Sequence, residues 1–207
     1  MNEMEHVTHE FQPIYDKDSK VLMLGTMPSP KSREVGFYYG HPRNRFWKVV
    51  SDVCGEALPE TKEEKIAFAL RNHIAVWDVL AGCEIHGADD SSIRNPEPND
   101  MNRILKEADI QAIFATGQKA AQLYKRYWQE ETGREIICLP STSPANCRVH
   151  YEELYEAYKG KENIVNVRMD ERLIHGQVAG IWAPSLHTQR IIVINDEAAA
   201  DSLQKSS

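Results

Sequence analysis

The residues best suited to chemistry lie between positions 25 and 47, in the sequence GTMPSPKSREVGFYYGHPRNRFW. Three aromatic rings stand together at 37–39, and an amide follows at Asn44. Five Lys or Arg residues and one Glu give residues 31–48 a local charge of +4, although the whole chain carries −7. Rings bind flat ligands by stacking and cations attract phosphate. The stretch therefore predicts contact with a short polyanion, and a solvated loop is the simpler alternative.

A second stretch with binding chemistry is LPSTSPAN, residues 139–146. Ser141, Thr142 and Ser143 supply hydroxyl groups between two prolines. Backbone amides and small hydroxyl side chains are common phosphate contacts. The sequence predicts a phosphate-gripping loop here, with an ordinary proline-rich turn as the alternative.

Both stretches follow predicted strands. Apolar runs predict four strands, at residues 20–25, 74–80, 110–115 and 135–139. Helices are predicted at residues 44–54, 61–71, 100–107, 118–131 and 150–158. Thr61 and Glu64 are expected to form a capping box at the start of the second helix. Residues 83–99 are predicted to be a polar loop. Alternating strands and helices predict an α/β fold, a three-layer sandwich around a central four-stranded parallel sheet. The loops GTMPSP, ATGQ and LPSTSPAN would then meet at one edge of the sheet.

Composition excludes several other classes of protein. The 207 residues are 42% hydrophobic and 27% charged, which is typical of a soluble globular protein. No apolar run is long enough to span a bilayer and no signal-peptide pattern is present, so a cytoplasmic location away from membranes is expected. The four cysteines form no CxxC pair, so no metal site is predicted.

Five segments, GTMPS, GFYYGHPRNRFW, IAVWDVL, ATGQKAA and LPSTSPAN, occur in an order and spacing that resemble the uracil-DNA glycosylase superfamily. They are most similar to its hypoxanthine (deoxyinosine) branch, over residues 11–159. The resemblance implies a monomeric enzyme that flips a deaminated base out of double-stranded DNA and hydrolyses its N-glycosidic bond. It implies neither a metal nor a cofactor.

The resemblance also implies roles for particular residues. Tyr39 would stack on the flipped base, with Phe37 as the fallback, and Asn44 would be catalytic unless it only caps a helix. Both residues would lie near the LPSTSPAN loop and line an uncharged slot of nucleobase size. Met27 stands where many relatives in the uracil branch carry a catalytic Asn, which puts strong uracil activity in doubt. The base-binding residues would be Gly25, Thr26, Met27, Pro28, Ser29 and Tyr39. The DNA-binding residues would be Ser141, Thr142, Ser143, Pro144, Asn146 and Arg148.

The last residues resemble another family. Within 161–207, the segments DERLIHGQV and RIIVINDE are similar to the start of the mannose/sorbose-type phosphotransferase B component. The resemblance makes His175 a phospho-acceptor, so a phosphoryl carrier of sugar transport is the alternative function. About 45 residues are fewer than an ordinary lone domain needs. The predicted organisation is therefore a glycosylase-like domain at 1–160 and a truncated α/β fragment at 161–207, expected to be a non-functional tail.

Overall fold

The structure is a computed structural model that describes residues 4–160. These residues contain seven strands and seven α-helical segments. The strands are β1 (Glu5–Thr8), β2 (Val21–Gly25), β3 (Ile74–Asp78), β4 (Leu80–Ile85), β5 (Arg94–Pro98), β6 (Ala112–Thr116) and β7 (Ile136–Leu139). The helical segments are α1 (Pro30–Val35), α2 (Phe46–Cys54), α3 (Lys62–Arg71), α4 (Asn102–Leu105), α5 (Gln118–Tyr124), α6 (Glu130–Thr132) and α7 (Tyr151–Lys159). His175 and the rest of the C-terminal segment lie outside the described residues.

The predicted parallel sheet is confirmed. Its strand order is β3-β2-β6-β7, and all three neighbouring pairs run parallel. Every residue of β2, β3 and β6 is buried, as expected for strands covered on both faces by helices. This explains why the three strands read as continuous apolar runs rather than as alternating patterns.

Helix boundaries also follow local sequence signals. The predicted capping box is present: the Thr61 side chain accepts from the Glu64 amide, and the Glu64 carboxylate accepts from the Thr61 amide. Phe46 and Val49 of α2 are fully buried against the core. The predicted helix at 118–131 forms, but residues Lys125–Gln129 make a wider π turn between α5 and α6.

The prediction of a polar loop at residues 83–99 is wrong. Strand β4 begins two residues after β3 ends, and β5 pairs with it antiparallel. Strand β1, which the sequence pattern does not indicate, completes a second sheet in the order β1-β4-β5. Because β5 has the sequence RNPEP and is largely exposed, it carries no apolar alternation from which a strand could be predicted.

Candidate active site

The carboxyl ends of the parallel strands bring the predicted loops together. Gly25 at the end of β2 pairs in register with Asp78 at the end of β3. Thr116 ends β6, and the next residue, Gly117, lies against Ser141: a Cβ atom on Gly117 would be 3.3 Å from the Ser141 Cβ. The GTMPSP loop (the first loop), the ATGQ loop and the LPSTSPAN loop therefore share one edge of the sheet.

Tyr39 is held at this edge by stacking and by one hydrogen bond. Its ring stacks on Phe46, with centroids 3.7 Å apart and planes 14° apart. The Thr116 hydroxyl donates to the Leu24 carbonyl at 3.3 Å, so the Tyr39 hydroxyl donates to Thr116 at 3.0 Å. Burial raises the pKa of Tyr39 well above its usual value, which keeps this hydroxyl a neutral donor. Its backbone φ of +52° is uncommon for a residue with a side chain, and such strain is often found at functional sites.

The other two rings of the aromatic triplet belong to the core. Phe37 stacks on Trp47 with centroids 5.9 Å apart, and only 8% of it is exposed. Tyr38 is 3% exposed, and its hydroxyl donates to the Gln12 carbonyl. Tyr39 is therefore the member of the triplet that reaches the sheet edge, while the fallback Phe37 is occupied in packing.

Asn44 lies two residues before helix α2, whose N-cap residue is Arg45, and its side chain binds the first amide of the helix. Its Oδ1 accepts from the Phe46 amide at 3.0 Å, and its own amide donates to the His41 carbonyl at 2.8 Å. Within residues 4–160 its Nδ2 has no hydrogen-bond partner, and the residue is half-buried. The N-cap position that the alternative gave to Asn44 is occupied by Arg45, and the bond from Asn44 to the Phe46 amide uses only the carbonyl side of its side-chain amide. The NH₂ group remains available as a donor.

Arg45, the next residue, fastens the LPSTSPAN loop to the start of α2. Its backbone amide donates to the Thr142 carbonyl at 3.1 Å. Its guanidinium donates to the carbonyls of Asn146 at 3.0 Å and Val149 at 2.7 Å. Asn44 therefore lies directly beside this loop, as the sequence predicted.

Inside the loop, side chains mainly shape the backbone. The Ser141 and Ser143 hydroxyls accept from the amides of Ser143 and Ala145, and the Asn146 side chain donates to the Ser141 carbonyl. Thr142 is 1% exposed, so its hydroxyl does not reach the surface. Pro144 is half-buried and Arg148 is exposed. The loop can offer its serine hydroxyls, but not Thr142, to a ligand on its outer side.

Most of the basic residues around the first loop are paired with carboxylates. Lys31 lies 2.7 Å from Glu34, Arg33 lies 2.6 Å from Glu5, and Lys48 lies 2.8 Å from Asp52. The side chain of exposed Arg43 makes no hydrogen bond or ion pair with any described residue, and the same is true of Arg148. The excess positive charge that is free for a polyanion is accordingly smaller than the sequence count indicated.

The first loop presents unpaired backbone donors. The carbonyls of Gly25 and Thr26 accept from the amides of Val79 at 2.9 Å and Leu80 at 3.1 Å, which ties the loop to the start of β4. In contrast, the amides of Met27 and Ser29 donate to no other described residue. Pro28, buried between them, has no N–H. The Ser29 hydroxyl accepts from the Ser32 amide at 3.2 Å and caps α1.

Two carboxylates lie at this edge of the sheet, and the uncharged slot stays a prediction. Asp78 Oδ2 lies 2.8 Å from His9 Nε2, and their side chains are only 6% and 1% exposed. Because His9 Nδ1 accepts from the Phe11 amide, Nε2 carries the proton and donates to Asp78. Asp90 Oδ2 accepts from the Thr26 hydroxyl at 2.9 Å, and burial of the carboxyl group raises its pKa.

Sequence reasoning misses the partners of both carboxylates. Asp78 ends an apolar run, but nothing in the sequence indicates that its partner is His9, which comes from beyond the N-terminal strand. It places Asp90 in a structureless loop. Asp90 reaches Thr26 because the β4–β5 hairpin folds back over the first loop, a long-range pairing that leaves no local signal in the sequence.

A cavity of about 410 Å³ lies apart from these groups. It is lined by residues 10–15, Gly36, Phe37, Tyr38, Ile66 and Leu70. Neither Tyr39 nor Asn44 contributes to its wall. A nucleobase-sized cavity between Asn44 and Tyr39 stays a prediction.

No three His, Cys, Asp or Glu side chains within residues 4–160 are grouped so that they could hold a metal ion. Over the same residues, none of the helices has both the length and the apolar character needed to cross a bilayer.

The fold and this loop arrangement match a known family. Residues 12–164 match the model of the uracil DNA glycosylase superfamily. The chain belongs to that superfamily. It is 36% identical over 141 residues to the hypoxanthine DNA glycosylase of Methanosarcina acetivorans, a match that covers 67% of this chain and 87% of the relative. The hypoxanthine DNA glycosylase of Methanosarcina barkeri is 33% identical over the same extent.

A solved structure agrees with the superfamily assignment. The solution NMR structure of a Methanosarcina acetivorans protein described as a uracil DNA glycosylase superposes with a TM-score of 0.63 at 31% identity. The match covers 72% of this chain and 92% of the other.

The C-terminal residues match a different family. Residues 164–207 match the sorbose subfamily IIB component of the phosphotransferase system. The mannose-specific EIIAB component of Escherichia coli K12 is 54% identical over 39 residues, which is 19% of this chain and 12% of that protein. The two resemblances identified in the sequence are both confirmed.

Proposed function

We propose that this superfamily member is a DNA glycosylase that hydrolyses the N-glycosidic bond of a flipped, deaminated base, with hypoxanthine as the main substrate and xanthine or uracil as further candidates. The observation that carries the proposal is the presence of unpaired amides at Met27 and Ser29 at the same sheet edge as the stacked ring of Tyr39. The hypoxanthine DNA glycosylases of two Methanosarcina species, similar over 67% of this chain, support the choice of base.

The first step of the proposed mechanism is capture of the extruded base. Phe46 covers one face of the Tyr39 ring and fixes its plane, so the ring offers a preformed stacking surface to the base. Base–aromatic stacking contributes about 1–3 kcal/mol. Because the Tyr39 hydroxyl is tied to Thr116, the ring does not have to be ordered when the base arrives.

Bond cleavage places negative charge on the departing base. As a water oxygen bonds to C1′ and the C1′–N bond breaks, the bonding electron pair moves to the base and the water proton passes to solvent. The Met27 and Ser29 amides are donors for that charge, and the Asn44 NH₂ is a third. One such preorganised donor is typically worth about 10²–10³ in rate. Asn44 acts as a donor here because its Oδ1 is occupied by the helix.

The DNA backbone would lie along the LPSTSPAN loop. Ser141, Ser143 and Asn146 hold the loop in shape, and the exposed guanidinium groups of Arg43 and Arg148 are available to phosphates. With few free cations among the described residues, the predicted footprint is short. A monomer bound to double-stranded DNA is the proposed working state.

The test is a nicking assay on duplexes that carry deoxyinosine, deoxyxanthosine or deoxyuridine, with alkali treatment after incubation. The wild type should cleave deoxyinosine duplexes. Asn44→Ser removes the NH₂ donor but keeps an oxygen acceptor for the Phe46 amide, so it should lower the single-turnover rate by about 10²-fold or more while the melting temperature stays close to that of the wild type.

Asn44→Ala is the companion variant. It removes both functions, so it should be as inactive as Asn44→Ser and less stable by about 1 kcal/mol. A wild type that cleaves none of the three bases would refute the proposed function. Full activity of Asn44→Ser would refute the role of Asn44 alone.

Phosphoryl transfer through His175 is the second candidate, supported by the likeness of residues 164–207 to sorbose-type IIB components. The proposed organisation keeps this segment separate from the glycosylase-like domain at 1–160. Incubation of the whole chain with a phosphorylated phosphocarrier protein tests the idea. Phosphate on His175 would support it, and an unlabelled chain would count against it.

A further inference from the structure

Asp90 lies next to the proposed base-binding loop and has no part in the proposed cleavage step. It begins a 3₁₀ turn, Asp90–Ser92, that joins β4 to β5. Its Oδ2 accepts from the Thr26 hydroxyl at 2.9 Å, across 64 residues of sequence. Thr26 is only 7% exposed, whereas Asp90 as a whole residue is exposed, so the carboxylate lies at the mouth of the loop. Its second oxygen, Oδ1, makes no hydrogen bond to any described residue.

The groups around Asp90 fit a ligand that offers a hydrogen-bond donor. Asp78 and Asp89 are the nearby carboxylates, and Lys119 at the start of α5 is the nearby cation. The free amides of Met27 and Ser29 lie just beyond Thr26. The loop edge therefore presents backbone donors and, beside them, one unused carboxylate acceptor.

This pattern is complementary to a lactam, the –CO–NH– group of a nucleobase. Hypoxanthine, xanthine and uracil all carry a carbonyl oxygen next to a ring N–H. Adenine and cytosine carry the reverse, an amino donor next to an unprotonated ring nitrogen. A carboxylate accepts hydrogen bonds and cannot donate them when ionised, so it accepts the lactam N–H and repels the lone pair of an unprotonated ring nitrogen.

We infer that Asp90 is a specificity-determining residue that accepts the lactam N–H of the extruded base while the loop amides bind the neighbouring carbonyl. This inference rests on the proposed function, and it separates lactam bases such as hypoxanthine from adenine and cytosine. Asp90 would supply a side-chain hydrogen-bond acceptor for the base at a site where Met27 supplies none. It also assigns a task to the β4–β5 hairpin, which brings the carboxylate to the loop.

The experiment measures binding, so that recognition is separated from cleavage. Duplexes with a 2′-fluorinated, non-hydrolysable nucleotide carry either hypoxanthine or unsubstituted purine, which lacks both the carbonyl and the ring N–H. The dissociation constants are compared for the wild type, Asp90→Asn and the control Asp89→Asn. The amide introduced by Asp90→Asn keeps an acceptor for Thr26 and turns its NH₂ toward the base, whereas Asp89→Asn loses the same charge at a side chain that does not touch the loop.

The wild type should prefer hypoxanthine over purine. In Asp90→Asn this preference should fall by about 10- to 100-fold, the usual range for a hydrogen bond to a charged group, and in Asp89→Asn it should stay unchanged. An unchanged preference in Asp90→Asn would overturn the inference. Equal weakening of both duplexes would also overturn it, because Asp90 would then act only through the loop.

Cleavage of a deoxyinosine duplex by the wild type is measured in parallel. Cleavage together with an unchanged preference would refute the role of Asp90 and leave the proposed function standing. No cleavage and no preference would refute both.

Discussion

Replacement of Gly25 by alanine should damage the candidate site through one steric clash. A Cβ atom at position 25 would lie 2.2 Å from Asp78 Oδ1, well short of the 3.4 Å at which ordinary contact begins. The same atom would lie 3.2 Å from the Tyr39 hydroxyl. Asp78 cannot move away freely because His9 holds its other oxygen at 2.8 Å in a buried pair.

The expected cost follows from these contacts. Overpacking of this kind typically costs about 1–3 kcal/mol. If the strain is relieved by separating Asp78 from His9, the cost approaches the roughly 3–5 kcal/mol of a broken buried pair. We expect Gly25→Ala to lower the free energy of unfolding by about 2–4 kcal/mol, which corresponds to roughly 5–15 °C in melting temperature at this size. Chemical denaturation gives the free energy directly.

The control is Gly55→Ala. Gly55 has a φ of +71°, but a Cβ there would meet nothing within 4 Å, so it carries conformational strain without a clash. It should cost about 1 kcal/mol. A double-mutant cycle completes the test, because Gly25→Ala should cost much less in an Asp78→Ala background, where only the closer approach to Tyr39 remains. A stable Gly25→Ala variant, or an equal cost in both backgrounds, would show that Asp78 does not occupy the described position.

Three further predictions concern the same region. Arg45→Ala loses its guanidinium bonds to Asn146 in the LPSTSPAN loop and to Val149 just after it, so it should cost about 2–3 kcal/mol in thermal or chemical unfolding. Arg43→Ala should leave stability unchanged and weaken DNA binding in a salt-dependent gel shift. Tyr39→Phe keeps the stacking ring and should retain the deoxyinosine cleavage rate within about threefold, but Tyr39→Leu should lose about 10- to 100-fold. Because burial raises the pKa of Asp90 above its unfolded value, its ionised form destabilises the fold at high pH. Asp90→Asn should therefore raise the melting temperature at pH 8, and the gain should shrink as the pH falls toward about 4; a gain that grows on acidification would contradict this.

The parallel sheet could be predicted because its signals are local. Strands such as β2 and β3 are buried along their whole length and appear in the sequence as unbroken apolar runs. The Thr61–Glu64 capping box marks a helix start within a single turn. The loops at the carboxyl ends follow from the sheet itself, which is why the proximity of Asn44 to the LPSTSPAN loop could be predicted.

The electrostatics of the site could not be predicted in the same way. The pairing of Asp78 with His9 and of Thr26 with Asp90 joins residues 64 or more positions apart. Both pairings depend on the second sheet, and β5 has the exposed sequence RNPEP with no apolar period. The count of basic residues overestimated the positive charge that is free to bind a polyanion. Arg33, for example, is paired with Glu5, which is distant in sequence.

The position of Arg45 next to Asn44 constrains how this protein can diverge. One peptide bond joins the amide proposed for catalysis to the anchor of the DNA-facing loop, so a change in either is transmitted to the other. Asp90, in contrast, extends from a separate hairpin and touches Thr26 through a single hydrogen bond. New base preferences are therefore expected to arise by substitutions in that hairpin, while the Asn44–Arg45 pair is inherited as a unit.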